Sequence, residues 1–318
     1  MTKKQIVSLV ILGAAFVVLD LGIYFNFTKN FINSTSPEMQ AKSVEVSEYL
    51  PFDDDSKIVR MDTEMTLEGD LPVLDGAAAL FPVYSAFAAS VYPEESIIYD
   101  EASGTFTEES ALQYTNTRGA YQRIVDGDCD LIFVAKPSEE QLKYAADNGV
   151  ELEFVPIGRE AFVFLVNGSN PVDDITLDEL KGIYSGKITN WKELGGEDRL
   201  IHATQRNEGS GSQTAFLSVM GDTEVHPSAL GPLGSPIGFS FRYYVEGIVE
   251  NGRVKLLALD GIYPNKVNIR NESYPIVANL FAVYRKNEDN SNVRKLVEWI
   301  LSDEGQKIVE ESGYVALE

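Results

Sequence analysis

The sequence predicts an α/β domain with a mainly parallel sheet, and three observations carry that prediction. From Leu71 onward, short apolar runs typical of buried strands alternate with segments of helical apolar spacing. Ser138 and the start of the run TLDELKGIYSGK supply helix caps. The chain closes on an apolar strand followed by a long amphipathic helical region. Such alternation of strands and helices is typical of helices packed against a sheet of mostly parallel strands.

The predicted elements follow in a regular order. Strands are expected at 71–76, 129–135, 151–158, 160–167 and 274–286, and helices at 77–93, 117–128, 138–149, 176–187 and 290–313. Residues 190–196 form a turn in this prediction, and 201–221 a strand, a loop and a helix. The run 274–286 is apolar enough to lie in the centre of a sheet.

The first 27 residues carry a membrane signal. About 22 apolar residues, interrupted only by Asp20, follow Lys3 and Lys4, which suits one membrane-spanning helix with the N-terminus in the cytoplasm. A cleaved secretory peptide is the competing interpretation, but no clear small-x-small site follows the run. We expect a signal anchor over 1–27, a polar linker over 28–61, and an extracellular C-terminal part on a single-pass protein of the cell membrane.

Composition excludes several functions. The net charge is −23, with 49 acidic and 26 basic residues and no basic cluster, so nucleic-acid binding is not expected. The one cysteine, Cys129, lies in an apolar run and is expected in the core. His202 and His226 stand far apart without a cysteine partner, so neither a zinc site nor any cofactor is expected.

The most informative motif is QRNEGSGSQTAF, residues 205–216. Glycines permit a tight turn close to a ligand, and serine hydroxyls can donate to an anion or cap the helix that follows. The helix N-terminus adds free N–H groups, and the guanidinium of Arg206 matches two oxygens of a tetrahedral anion. The pattern therefore indicates an oxyanion pocket; a capped Ser/Gly loop that binds nothing is the alternative.

Several motifs together resemble a known family. The runs DGAAALFPVYSAFA, DGDCDLIFVAKPSEEQ, IYSGKITNWKELGG, QRNEGSGSQTAF and GFSFRYY, with the C-terminal helices, are similar to phosphate-binding proteins of bacterial ABC uptake systems. The resemblance implies a two-lobed periplasmic-binding-protein type II fold with a ligand cleft between the lobes. It places lobe one at 62–158 and 274–318, and lobe two at 159–273.

The resemblance also implies where an anion is held. In lobe two it assigns the grip to Arg206, Ser210, Gly211 and Ser212. In lobe one it assigns a hydroxyl donor to Thr117 and added charge to the neighbouring Arg118, which could equally be a solvated arginine at a helix start. Arg242 in GFSFRYY could add a donor to the cleft, and an ion pair is the alternative.

Two departures from the family pattern weaken the identification of the anion. The loop after Asp75-Gly76 carries alanines where the family has hydroxyls, so only backbone N–H groups, such as those of Ala78 and Ala79, remain as donors. The family's acceptor carboxylate, which receives a proton of the phosphate, is replaced by Ala135 or Lys136. Losing that acceptor removes a reason to prefer a protonated anion.

The expected function is capture without chemistry. A membrane-tethered, extracellular solute-binding protein would hold inorganic phosphate or a similar oxyanion and present it to an ABC permease or another membrane protein. An enzyme is disfavoured, because the motif is not a G-x-S-x-G elbow and the chain has only two histidines. The remaining alternative is a sensor or interaction module of the same fold that binds another anion or none.

Overall fold

The structure is a computed structural model that describes residues 44–226, 234–248 and 253–317. The predicted membrane helix and the start of the predicted linker lie outside these residues. Among the helices that the structure does describe, none combines the length and the apolar character needed to cross a bilayer.

The chain from residue 74 to 147 alternates strands and helices. Its elements are β1 (Leu74–Gly76), α1 (Phe81–Val91), β2 (Tyr99–Asp100), β3 (Thr105–Phe106), α2 (Asn116–Asp126), β4 (Leu131–Val134) and α3 (Glu139–Asp147). A short 3-10 turn, Ala78–Leu80, leads into α1. Helix α3 begins with the capping box predicted from Ser138, whose hydroxyl accepts from the N–H of Gln141 while the Gln141 side chain accepts from the N–H of Ser138.

The next part of the chain contains the longest strand and the predicted anion loop. Its elements are β5 (Leu152–Asn167), β6 (Asp174–Ile175), α4 (Leu177–Tyr184), β7 (Ile201–Ala203), α5 (Gly211–Met220), β8 (Ser235–Phe241), β9 (Val254–Leu256), β10 (Ala258–Leu259) and α6 (Lys266–Arg270). The chain then returns through β11 (Val277–Arg285), α7 (Ser291–Ile300) and α8 (Asp303–Glu311).

The main sheet has the strand order β1-β4-β11-β5-β8-β7, with β9 also paired to β5. The prediction of a mainly parallel sheet is wrong. Parallel pairing occurs at the two ends, between β1 and β4 and between β7 and β8, whereas β11 is antiparallel to both its neighbours and β5 is antiparallel to β8 and β9. The reason is that β5 and β11 run through the centre in opposite directions.

Strand β5 joins the two parts of this sheet. Residues 152–161 pair with β11, and residues 162–166 pair with β8. The two strands predicted at 151–158 and 160–167 are therefore one continuous strand, because backbone pairing passes through Arg159 without a turn. Strand β11, predicted to be central, lies between β4 and β5 as expected.

The core confirms one further sequence interpretation. Cys129 is buried, and burial raises the pKa of its thiol. Trp191 is also buried, and its indole N–H donates to the carbonyl oxygen of Ser235 at 3.1 Å, so its role is structural.

Part of the segment predicted as a linker packs against the folded body. Val44, Val46, Tyr49 and Ile58 are buried in the hydrophobic core. The backbone oxygen of Tyr49 also accepts a hydrogen bond from the hydroxyl of Ser85 on α1, at 2.5 Å. Apart from one 3-10 turn at Val46–Tyr49, the described residues from 44 to 61 are irregular. They are nevertheless packed, because their few apolar side chains are buried against the core.

Candidate functional site

A cavity of about 530 Å³ is lined by residues from both parts of the sheet. The eight residues predicted to contact an anion all line it: Ala78, Ala79, Thr117, Arg118, Arg206, Ser210, Gly211 and Ser212. They come from three separate chain segments, each at or next to the start of a helix. The structure therefore brings the predicted residues together in one place.

The loop before α5 is held by a single glutamine. Ser210 caps α5 by accepting from the N–H of Gln213 at 3.1 Å, as the motif predicts. The side chain of Gln213 reaches back and accepts the backbone N–H of Arg206 at 2.8 Å. Gly209 has a φ of +79°, a left-handed conformation that glycine adopts without strain. These contacts fix Arg206 beside the helix N-terminus.

Arg206 presents an uncompensated charge to the cavity. Its side chain is partly buried, and it has no carboxylate in ion-pair distance among the residues that the structure describes. Burial lowers the pKa of this guanidinium, with a weaker opposing effect from Tyr244. Since arginine remains protonated in proteins, the burial is a cost that an anionic ligand would offset.

The wall opposite Arg206 is organised by Asp75. This buried carboxylate accepts the N–H of Thr115 at 2.9 Å and the hydroxyl of Thr115 at 2.7 Å, and it pairs with Nε of Arg123 at 3.1 Å. The contacts join the end of β1 to the start of α2, where Thr117 lies. Gly76 has no room for a side chain, because a Cβ would stand 2.6 Å from the carbonyl oxygen of Phe133.

The two walls approach each other closely. A Cβ on Gly211 would stand 3.2 Å from the hydroxyl oxygen of Thr117, and one on Gly209 would stand 3.4 Å from Cδ of Arg118. The side chain of Gln141 on α3 also reaches the carbonyl oxygen of Gly209 at 3.4 Å. The glycines of the motif therefore permit close contact between the α2 and α5 segments.

The alanine loop contributes backbone groups to the cavity. The N–H of Ala77 is engaged by the carbonyl oxygen of Phe133 at 2.8 Å. Ala78 and Ala79 begin the helical turn that leads into α1, where N–H groups have no partner within the helix. Both residues line the cavity. The carbonyl oxygen of Ala79 is occupied by the hydroxyl of Tyr314.

Sequence reasoning assigned no role to two charged residues that line the cavity, Glu160 and the exposed Glu208. Glu160 lies on β5 and is almost fully buried. Its carboxylate pairs with Arg242, with Nε at 3.0 Å and Nη2 at 3.3 Å. Burial raises the pKa of Glu160 to about 6, against the opposing effect of Arg242. Of the two alternatives for Arg242, the structure shows the ion pair. The sequence signal that could have identified Glu160 was an acidic residue at the start of an apolar strand.

The two residues at the position of the family's acceptor carboxylate differ in their placement. Ala135 lines the cavity, whereas Lys136 is exposed and borders a neighbouring groove. Within residues 44–226, 234–248 and 253–317, no three His, Cys, Asp or Glu side chains are grouped so that they could hold a metal ion.

Comparison with known proteins identifies the superfamily of this chain. A family model described as the PBP superfamily domain matches residues 76–304. The chain belongs to the PBP superfamily. The match to the PBP superfamily covers the alanine loop, the α2 and α5 segments and β11, so it includes every wall of the cavity except the C-terminal segment with Tyr314.

Two curated relatives of this PBP superfamily chain are named phosphate-binding protein PstS. The protein of Bacillus subtilis (strain 168) is 29% identical over 254 residues, which is 76% of this chain and 79% of the relative. The protein of Staphylococcus aureus (strain USA300) is 27% identical over 220 residues, which is 63% of this chain and 67% of the relative.

Two solved structures share the fold of this PBP superfamily member. A putative phosphate ABC transporter substrate-binding protein from Clostridium perfringens, solved with bound phosphate, has a TM-score of 0.58 at 23% identity, with 77% of this chain and 98% of that chain covered. An ABC-type phosphate transport receptor from Vibrio cholerae has a TM-score of 0.55 at 19% identity, with 77% and 99% covered.

Proposed function

We propose that this protein captures a small oxyanion, with phosphate as the first candidate, and delivers it to an ABC-type uptake system without changing it chemically. The observation that carries the proposal is the partly buried guanidinium of Arg206, which has no carboxylate partner among the described residues and faces a cavity with Ser210 and Thr117. Hydroxyl and N–H donors around a single cation suit an anion with several acceptor oxygens. The names of the relatives support phosphate.

The contacts are proposed for the eight predicted residues. Arg206 supplies the charge, and Ser210, Gly211 and Ser212 donate from the N-terminus of α5. Thr117 and Arg118 donate from the start of α2, and the N–H groups of Ala78 and Ala79 complete the grip. Their common cavity supports these roles.

We propose a two-lobed arrangement, with lobe one at 62–158 and 274–318 and lobe two at 159–273. The support is that β5 changes partners from β11 to β8 next to residue 161, close to the proposed boundary. The packed residues 44–61 then belong with lobe one, since Tyr49 contacts α1. The lobes close over the anion by bending about these crossing strands.

The membrane part of the proposal rests on the N-terminal sequence. A helix within residues 1–27 would hold the domain at the outer face of the cell membrane, as a single-pass protein. A tether keeps the receptor close to its permease or another membrane partner and raises the effective concentration of one for the other.

Anion-dependent thermal stabilisation of the full-length chain tests the proposal. Phosphate at a hundred times its dissociation constant should add about 2.7 kcal/mol to the free energy of unfolding. Arg206→Ala should weaken binding by roughly 100-fold, because it removes charged hydrogen bonds. Arg199→Ala is the matched control, since Arg199 is exposed, pairs only with Glu197 among the described residues, and lies outside the cavity.

A second function is favoured by a specific observation. The loop after Gly76 has alanines in place of hydroxyls, and the acceptor carboxylate is absent at Ala135 and Lys136. These changes favour a sensor or interaction module that binds another anion or none. If phosphate, sulfate, molybdate and small carboxylates all fail to stabilise the protein, the proposal that it captures an oxyanion is wrong. The sensor or interaction module is then the function that the observations support.

A further inference from the structure

We propose that the preferred ligand of the cavity is a phosphate monoester dianion, a phosphoryl group carrying a small neutral organic substituent, rather than free inorganic phosphate. This inference rests on the proposed function, because it uses the same cavity and the same arginine. It names the class of anion that the walls of the cavity suit. Three features of those walls carry it.

The first feature is the amount of space. The cavity measures about 530 Å³, within the range of roughly 300–1,000 Å³ that is usual for pockets holding whole organic molecules. A five-atom oxyanion occupies only a small part of such a volume. With the anion held at the N-terminus of α5, the rest of the cavity is free for a substituent.

The second feature is the division between polar and apolar walls. The donors Arg206, Ser210, Ser212 and Thr117 are contributed by the starts of α2 and α5. The remaining lining includes apolar residues, namely the alanine loop, Leu80, Ala135, Phe241 and Leu280, together with a tyrosine whose hydroxyl is already used and the uncharged polar residues Asn116, Asn207, Ser240 and Tyr244. A ligand with an anionic end and an uncharged organic end matches this division.

The third feature concerns protons on the ligand. Inorganic phosphate keeps at least one P–OH at neutral pH, and a buried P–OH needs an acceptor. The cavity lining that the structure describes includes two carboxylates, Glu160 and Glu208. One carboxylate oxygen of Glu160 accepts N–H groups of Arg242 and Ala161, and the other accepts N–H groups of Arg242 and Tyr243. The carboxylate of Glu208 is exposed at the surface.

A phosphate monoester needs no carboxylate to accept a proton. Its second ionisation has a pKa of about 6, so at pH 8 it is a dianion with no P–OH, and its oxygens need only donors. The donor groups of Arg206, Thr117 and the α5 N-terminus meet that need. Sulfate shares the absence of a hydroxyl, but it lacks the organic part that would fill the remaining space.

Calorimetric titration of the full-length chain at pH 8 separates these possibilities. The probes are inorganic phosphate, sulfate, methyl phosphate and phenyl phosphate. Methyl phosphate tests the loss of the P–OH with little added volume, and phenyl phosphate tests the space. We expect methyl phosphate to bind at least about tenfold tighter than phosphate, and phenyl phosphate tighter again.

A variant of the apolar wall provides an internal check. Leu280→Phe adds bulk to the apolar part of the lining, so the affinity for phenyl phosphate should fall by about tenfold while that for methyl phosphate changes little. Thermal unfolding without ligand shows whether the variant folds. If the variant does not fold, the affinities of the unaltered protein for the four anions still decide between a monoester and free phosphate.

The possible outcomes are distinct. Phosphate binding as tightly as, or tighter than, both monoesters overturns this inference and leaves the proposed function intact. Sulfate binding tighter than both monoesters overturns it as well, since the organic part would then contribute nothing. Failure of all four anions overturns the proposed function itself. If phenyl phosphate binds most tightly of the four, and if Arg206→Ala loses this binding, the result supports both the inference and the proposed function.

Discussion

The hydroxyl of Tyr314 donates a hydrogen bond to the carbonyl oxygen of Ala79 at 2.6 Å. This contact joins the segment after α8 to the alanine loop, across 235 positions of sequence. The ring of Tyr314 also packs against Tyr243, with ring centroids 4.8 Å apart. The C-terminal end of the chain thereby holds one wall of the cavity in place.

Removing this hydroxyl should loosen that wall. In Tyr314→Phe the oxygen of Ala79 loses its partner, so we expect the free energy of unfolding to fall by about 1 kcal/mol and anion affinity to fall a few-fold. Urea unfolding and calorimetry measure the two effects. Tyr263→Phe, at an exposed tyrosine outside the cavity, is the control. Equal affinities in Tyr314→Phe and the unaltered protein would show that the contact does not position the loop.

A methyl group at Gly211 should interfere with closure of the cavity. Its Cβ would stand 3.2 Å from the hydroxyl oxygen of Thr117, which is tight contact. For Gly211→Ala we expect anion affinity to fall by about tenfold, with little change in the unfolding free energy. The reason is that the steric strain arises where the α2 and α5 segments meet, and not inside the core.

The smaller serine at position 117 supplies a rescue. It keeps the hydroxyl, and without the methyl group of Thr117 that hydroxyl can rotate away from the added Cβ. The double variant Gly211→Ala, Thr117→Ser should therefore regain part of the lost affinity in the same calorimetric measurement. A double variant weaker than Gly211→Ala alone would argue against the steric explanation.

Glu160 should make stability depend on pH. Burial raises the pKa of its carboxyl from 4.5 to about 6, so the folded protein keeps this proton at pH values where the unfolded chain has lost it. Its contribution to stability is therefore complete below pH 4.5 and is lost as the pH rises through 6. Relative to Glu160→Gln, the unfolding free energy should fall by about 2 kcal/mol between pH 4.5 and 7. A difference that stays constant, or grows with pH, would contradict this.

Residues 44–61 should be required for full stability. A chain beginning at residue 62 lacks the buried side chains of Val44, Val46, Tyr49 and Ile58, so its unfolding free energy should be lower by on the order of 5 kcal/mol than that of a chain beginning at residue 44. Urea unfolding of the two truncated proteins measures the difference. Equal stability would mean that this segment only rests on the surface.

Local sequence was sufficient to predict many of the elements. The cap at Ser138, the helix after Ser210 and the buried strand around Phe133 follow from signals within a few residues, because capping and periodicity are local properties. Strand direction was not predictable in this way. The same apolar pattern fits parallel and antiparallel partners, so the sheet's mixed pairing and the continuity of β5 through Arg159 appeared only in the structure.

The sequence by itself indicated the loop before α5 as a candidate anion site, since glycines, serines and Arg206 stand within a few residues of one another. It also indicated Thr117 and the alanine loop, through their resemblance to a family. Only the tertiary structure decided that Glu160 lines the cavity with its charge balanced by Arg242, 82 positions away, and that Tyr314 supports Ala79. The physical reason is that a buried charge or carbonyl needs a partner, and folding alone determines which distant residue supplies it.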